Sequence, residues 1–266
     1  MTTFADSLAA IGDAVGVQPA PSVLRSVLTR AAQSRPATVV APCSPLDAYL
    51  GAAADVRPLL LRGDPQLVAH VVGMEEHVLA WVRGEHTEID DHAAVRSDAG
   101  VEAWDELVAG VAREAASAEP SREVTAFGLP TDVEGLLVLR TFELWTHAQD
   151  LAGAVPETDP ARLALMSSRL AEVLPAAMAV RGVPRPGRTA RLVLTGVAPG
   201  CFDVPLDPSD PSEPAGEPDV TIVVDVVDMC RVAARRADPG VIATQCEGDE
   251  ELGRLVLAAA DAFAQD

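Results

Sequence analysis

The apolar period of this chain changes partway along it, and that change limits the folds open to it. From residue 44 to about 181, apolar residues return every three to four positions, the spacing of amphipathic helices. Beyond a Pro/Gly/Arg stretch, the runs Arg191–Thr195, Cys201–Leu206 and Val220–Asp225 alternate with period two, the spacing of half-buried strands. Helices first and strands later predict an α+β chain.

Stop and start signals divide the helical part. Residues 4–15 and 22–33 read as two short helices, and Ser34–Cys43, with Pro36 and Pro42, as a linker. Ser44 followed by Pro45 opens a helix to about Arg62, with Pro58 expected to kink it and Gly63 to stop it. Asp64 and Pro65 open the next, which ends near Gly84. After an acidic loop, residues 101–118 read as a third helix. Thr131 and Glu134 form a capping box for a fourth, ending at Gly153. Four helices, each with one aliphatic face, predict a four-helix bundle. A helix over about 160–181, the three strands, and helices near 227–236 and 249–263 predict a small antiparallel sheet backed by helices. The expected division is an N-terminal helical extension over 1–43, a bundle over 44–153 and an α+β domain over 154–266.

Charge narrows the function. The 266 residues carry 20 Lys plus Arg against 40 Asp plus Glu, a formal charge of −20, which disfavours nucleic acid and anionic lipid as partners. There is no Lys, so Schiff-base chemistry and a lysine-dependent phosphate loop are excluded. Asn is absent too, and codons for both residues begin with two adenines, which points to a GC-rich coding sequence. The N-terminus lacks a basic region and an apolar core, no apolar run approaches a membrane span, and the four cysteines are scattered. A cytoplasmic protein with free thiols is the expectation.

The chemistry-bearing segment is Glu143-Leu-Trp-Thr-His147 in the fourth helix. Glu and His four apart share one face, about 6 Å apart along the axis. Their tips can converge on one ion, zinc or a similar divalent metal, or form a solvated pair. His70 lies on a helix that is otherwise largely apolar and needs a partner: either an ordinary core contact or that same ion. His70, Glu143 and His147 would make a two-histidine, one-carboxylate site with open positions. Asp150 shares their face, as an acceptor for an imidazole N–H or as an exposed helix-end acid. His77 lies about 10.5 Å along the helix from His70, too far to share its ion. His86 and His92, among Glu85, Glu88, Asp90 and Asp91, read as surface residues near a pocket mouth.

The runs LVAHVVG, FELWTHAQD and VDMCRVAARRADPG…CEGDEELGRLVLAAA resemble the mycothiol-dependent maleylpyruvate isomerase family, over about residues 44–266. The resemblance implies a DinB-like metal-binding bundle joined to a sterol-carrier-like α+β domain. It also implies metal ligands at His70, Glu143 and His147, and an essential arginine on or beside Arg236, within Arg235-Arg236. The family's Cys-Pro-Gly-Trp stretch is replaced by Leu-Leu-Arg-Gly-Asp-Pro, and the Gly usual before the arginine is Arg235. The implied activity is metal-dependent use of a low-molecular-weight thiol, mycothiol in the family, to isomerise or take up a small electrophile. Arg235 or Arg236 would hold a carboxylate of substrate or thiol, or serve as a helix-end cation. The GC-rich character fits an actinobacterial source. A metal-dependent hydrolase and a non-catalytic, metal-stabilised binding or regulatory protein are the alternatives.

Overall fold

Side-chain caps start most of the helices, so the path of the chain follows from local chemistry. A computed structural model describes residues 40–262 and 264, apart from 86, 88, 90, 127, 128 and 211–215. The extension expected over residues 4–33 and the linker up to residue 39 lie outside the described residues. Ser44 caps α1 (Pro45–Leu60), its hydroxyl accepting from the Asp47 amide at 3.0 Å. Helix α1 runs through Pro58 and ends two residues later. Asp64 caps α2 (Pro65–Arg83) by accepting from the Gln66 and Leu67 amides, and left-handed Gly84 (φ 82°) closes it. A short 3-10 turn at Val101–Ala103 leads into α3 (Trp104–Ser117). The cap of α4 (Val133–Ala152) is Asp132, not Thr131: its carboxylate accepts from the Gly135 amide at 2.7 Å. Thr131 is instead in strand β2 (Leu129–Asp132), paired antiparallel with β1 (Glu123–Ala126); both strands are only four residues long.

Helices α1 to α4 form the bundle, α1 against α4 and α2 against α3, with α1–α3 and α2–α4 closing the ring. Its aliphatic core includes Val56, Val71, Met74, Val78, Leu136 and Leu144. A second core lies between α5 (Pro160–Val180), α6 (Val226–Ala233), α7 (Glu250–Ala259) and a four-stranded sheet. Trp145 of α4 and Leu163, Met166 and Leu170 of α5 belong to that core, which joins the bundle to the sheet. Helix α5 is long and apolar enough in composition to cross a membrane, yet much of it is buried inside this core.

The sheet order is β4 (Gly200–Pro205), β3 (Thr189–Thr195), β5 (Val220–Asp225), β6 (Thr244–Gly248). It is mixed and not antiparallel throughout: β3 and β5 run parallel, with Leu192 opposite Ile222, while both outer pairs are antiparallel. Alternation is clean in β3 and β5, whose Ala190, Leu192, Leu194, Val220, Ile222 and Val224 are all buried. Strand β6 is short and polar, and lacks that pattern.

Helix α6 ends on Arg235 in the left-handed region at φ 56°. The Arg236 amide reaches back to the Arg231 carbonyl at 2.7 Å, the six-to-one bond of a Schellman cap. Glycine suits that position, and a side chain there costs about 1 kcal/mol. The cap turns Arg236 away from its own helix and toward α4.

Candidate metal centre

Helix α4 presents Arg140, Glu143, His147 and Asp150 along one face, at i, i+3, i+7 and i+10. Helix α2 faces it with His70 and Glu75, both buried. The third contributor is the segment between α2 and α3, where a 3-10 turn at His92–Ala94 tucks His92 inward.

Four side chains meet around one carboxylate oxygen. Glu143 Oε1 lies 3.1 Å from His92 Nε2, 3.8 Å from His70 Nε2 and 3.8 Å from His147 Nε2. The His70 ring stands edge-on to both others, with centroids 4.9 Å from His92 and 5.0 Å from His147. Glu143 is the most exposed of the four side chains, at 12%.

The outward nitrogens fix the inward ones. His70 Nδ1 lies 3.2 Å from the Val95 carbonyl, which can only accept, so Nδ1 carries the proton and Nε2 offers a lone pair. Arg96 Nη1 is 3.5 Å from the same Nδ1 but is bound at 2.6 Å to the Val95 and Ala93 carbonyls. His147 Nδ1 lies 3.3 Å from Asp150 Oδ2, which orients that ring likewise. Its Nε2 is buried and has no hydrogen-bond partner. The loop reaches His70 because position 73 is glycine: a Cβ there would meet the Arg96 backbone carbon at 2.9 Å.

Electrostatics favour a neutral His70 and an ionised Glu143. Burial is the largest influence on His70 and pushes its pKa down to about 4, so the imidazole is neutral near pH 7. Burial favours the neutral acid at Glu143. The adjacent Arg140 guanidinium and the His92 hydrogen bond outweigh it and hold the carboxyl well below the usual range. Arg140 is fully buried. Its Nη1 sits 2.8 Å from Glu143 Oε2, its Nε 3.0 Å from Glu75 Oε2, and its Nη2 2.8 Å from the Val71 carbonyl. Tyr49 donates to the other oxygen of Glu75. Arg140 therefore pins Oε2 and leaves Oε1 to the imidazoles. Two carboxylates and one guanidinium leave a buried charge of −1 here, lined with lone pairs. Such a pocket favours a cation.

His70, His92 and Glu143 could hold one ion: their ligand atoms all lie within 4.8 Å of one another, and His147 Nε2, outside that group, lies 3.8 Å from Glu143 Oε1.

His70, Glu143, His147 and Asp150 are thus brought together. Arg236 reaches the cluster through Asp150, with Nε to Oδ1 and Nη2 to Oδ2 both at 2.7 Å and Nη1 on the Ala234 carbonyl. The carboxylate it holds here is that of Asp150. Arg235 pairs with Asp261 at 3.4 Å. His77 stays apart, 3.2 Å from the Thr87 hydroxyl and beside Trp81. His86 lies outside the described residues. His92 corrects the surface expectation: it is buried against Glu143, while Ile89 and Val95 of the same loop pack against the bundle core. Arg140 and Glu75 escaped sequence reasoning as well, as charged residues within helical runs.

No protein-family model matches the chain, and no curated protein matches it. Among solved structures, it is similar to that of a mycothiol-dependent maleylpyruvate isomerase. Identity is 19% and the TM-score 0.47, over 73% of this chain and 88% of that one. A histidine-to-alanine variant of a mycothiol-dependent maleylpyruvate isomerase gives 18% and 0.49, over 76% and 91%.

Proposed function

We propose that this chain is a metal-dependent enzyme that uses a low-molecular-weight thiol, mycothiol by resemblance, to isomerise a small electrophile or to add the thiol to it. The observation that carries the metal is the convergence of three imidazole Nε2 atoms on Glu143 Oε1, with the Nδ1 atoms of His70 and His147 anchored outside. His70, Glu143 and His147 are the assigned ligands. Imidazole and carboxylate donors favour zinc, a choice shared with nickel and iron. The thiol is suggested by the runs around His70, Glu143 and Arg236, and the unsignalled, acidic chain by a cytoplasmic setting.

A bound divalent ion supplies the Lewis acidity that makes a thiolate available near neutral pH. The protein's own groups do the rest. Arg140 holds Glu143 ionised and aimed. Asp150 fixes the His147 ring, and Arg236 fixes Asp150, so the segment after α6 bears on the centre through an ion pair and a hydrogen bond. Removing that arginine should act by loosening His147.

Calorimetric titration of metal-free protein with Zn²⁺ tests the centre. Tight binding at one site is expected, and loss of it in His147→Ala; equal affinity in that variant refutes the assignment. Turnover of small electrophiles should require added thiol. Turnover in buffer alone would favour hydrolysis.

A further inference from the structure

Three imidazole nitrogens lie within 3.8 Å of Glu143 Oε1, which with that oxygen makes four candidate donors, one more than a site with an open position requires. We propose that His92 is a displaceable fourth ligand: it closes the centre at rest and yields its place to the incoming thiol. This rests on the metal-and-thiol reading above and names the residue that governs access.

The assignment follows from where the donors are mounted. His70, Glu143 and His147 sit on the long helices α2 and α4, and His70 and His147 each have Nδ1 anchored. His92 sits on a three-residue 3-10 turn whose N-cap makes no side-chain hydrogen bond. Its segment is tied to α2 on both sides, by Trp81 Nε1 to the Thr87 carbonyl at 3.2 Å and by the Ser97 amide to the Ala69 carbonyl at 2.9 Å. His92 is thus borne on a short turn, while the other three donors are borne on long helices. His92 Nε2 is nevertheless the nitrogen nearest Glu143 Oε1, well inside a ligand shell. Zinc centres with four protein ligands are structural, and those with three leave a place for water or substrate. A helix-borne triad with a turn-borne fourth donor is closed or open according to one side chain.

The exchange balances without any redox partner. With a metal bound, a neutral thiol would lose its S–H bond as its sulfur took the place of His92 Nε2, and the proton would pass to solvent, leaving His92 Nε2 beside Glu143 Oε1, 3.1 Å away.

Cobalt-loaded protein reports the shell directly. Wild type should show the intense visible bands of a four-coordinate ion, and 2-mercaptoethanol should add a sulfur-to-cobalt charge-transfer band. His92→Gln and His92→Gly should weaken Zn²⁺ binding, in competition with a chromophoric chelator, by at least about tenfold, the lower limit for losing even an outer-shell partner. In His92→Gly, free imidazole should restore both the affinity and the wild-type cobalt spectrum, which separates a lost ligand from a lost fold. Unchanged affinity in both variants, with a spectrum indifferent to imidazole, overturns the proposal and leaves the triad intact. Failure of wild type to take up either metal overturns the triad and the proposal together.

Discussion

Replacing Arg140 with Met removes the guanidinium that contacts Glu75 and Glu143 while keeping most of the side-chain volume. The wild-type side chain is wholly inaccessible and holds Glu75, Glu143 and the Val71 carbonyl. Its loss leaves Glu75 with Tyr49 alone, and Glu143 with three imidazoles that are poor substitutes. Breaking a buried pair from one side costs about 3–5 kcal/mol, because the remaining charge stays desolvated. For a domain of this size that is a melting-temperature drop of roughly 6–20 °C. The deficit must also depend on pH. With Arg140 gone, burial dominates at Glu143 and raises its pKa above the unfolded value of about 4.3. The folded variant then binds more protons than the unfolded chain, so its stability relative to wild type improves as pH falls toward about 5. Urea denaturation of metal-free protein at neutral and mildly acid pH measures this. Adding Glu75→Gln should recover about 0.5–3 kcal/mol, the range for residues in one buried network. A loss below about 1 kcal/mol that is flat with pH would refute the buried-charge account.

Protonation of His70 should destabilise the metal-free fold in mild acid. Its unfolded imidazole titrates near 6.5 and its folded one near 4, so the unfolded state binds more protons in between. Stability is full above pH 6.5 and falls by about 3 kcal/mol as pH drops to 4; His70→Gln should flatten that slope in urea midpoints. Gly73→Ala should displace the Val95–Ser97 backbone from α2 at a cost of about 1–3 kcal/mol, seen as faster hydrogen exchange at the Ser97 amide. Asp150→Asn should lower Zn²⁺ affinity by about 10- to 100-fold through the His147 ring, with Arg236→Gln giving a smaller loss in the same titration.

What was legible in the sequence is what local chemistry decides. Ser44-Pro45, Asp64-Pro65 and Asp159-Pro160 each begin a helix where the caps put them, because the capping oxygen and the proline act within three residues. Glu143, His147 and Asp150 could be placed on one face by counting, since helical period alone sets it. The parallel pairing of β3 with β5 and the polar strand β6 could not, because partner and direction come from contacts 20 to 30 residues away in sequence. Arg140 was hidden for a related reason. A charge within an apolar helical run looks the same whether it meets solvent or a buried carboxylate on the facing helix.

His92 is the sharpest case, and it bears on function. The helix-borne donors are readable from spacing, yet they leave the coordination number open. The residue proposed to settle it lies on a three-residue turn whose segment approaches α2 at Gly73, three residues after His70, and none of this has a period to read. The legible donors therefore allow a cation between α2 and α4. On the proposal above, whether its last position faces a thiol or an imidazole depends on a tertiary closure, which is why substituting His92, more than any helical ligand, would separate a resting centre from an open one.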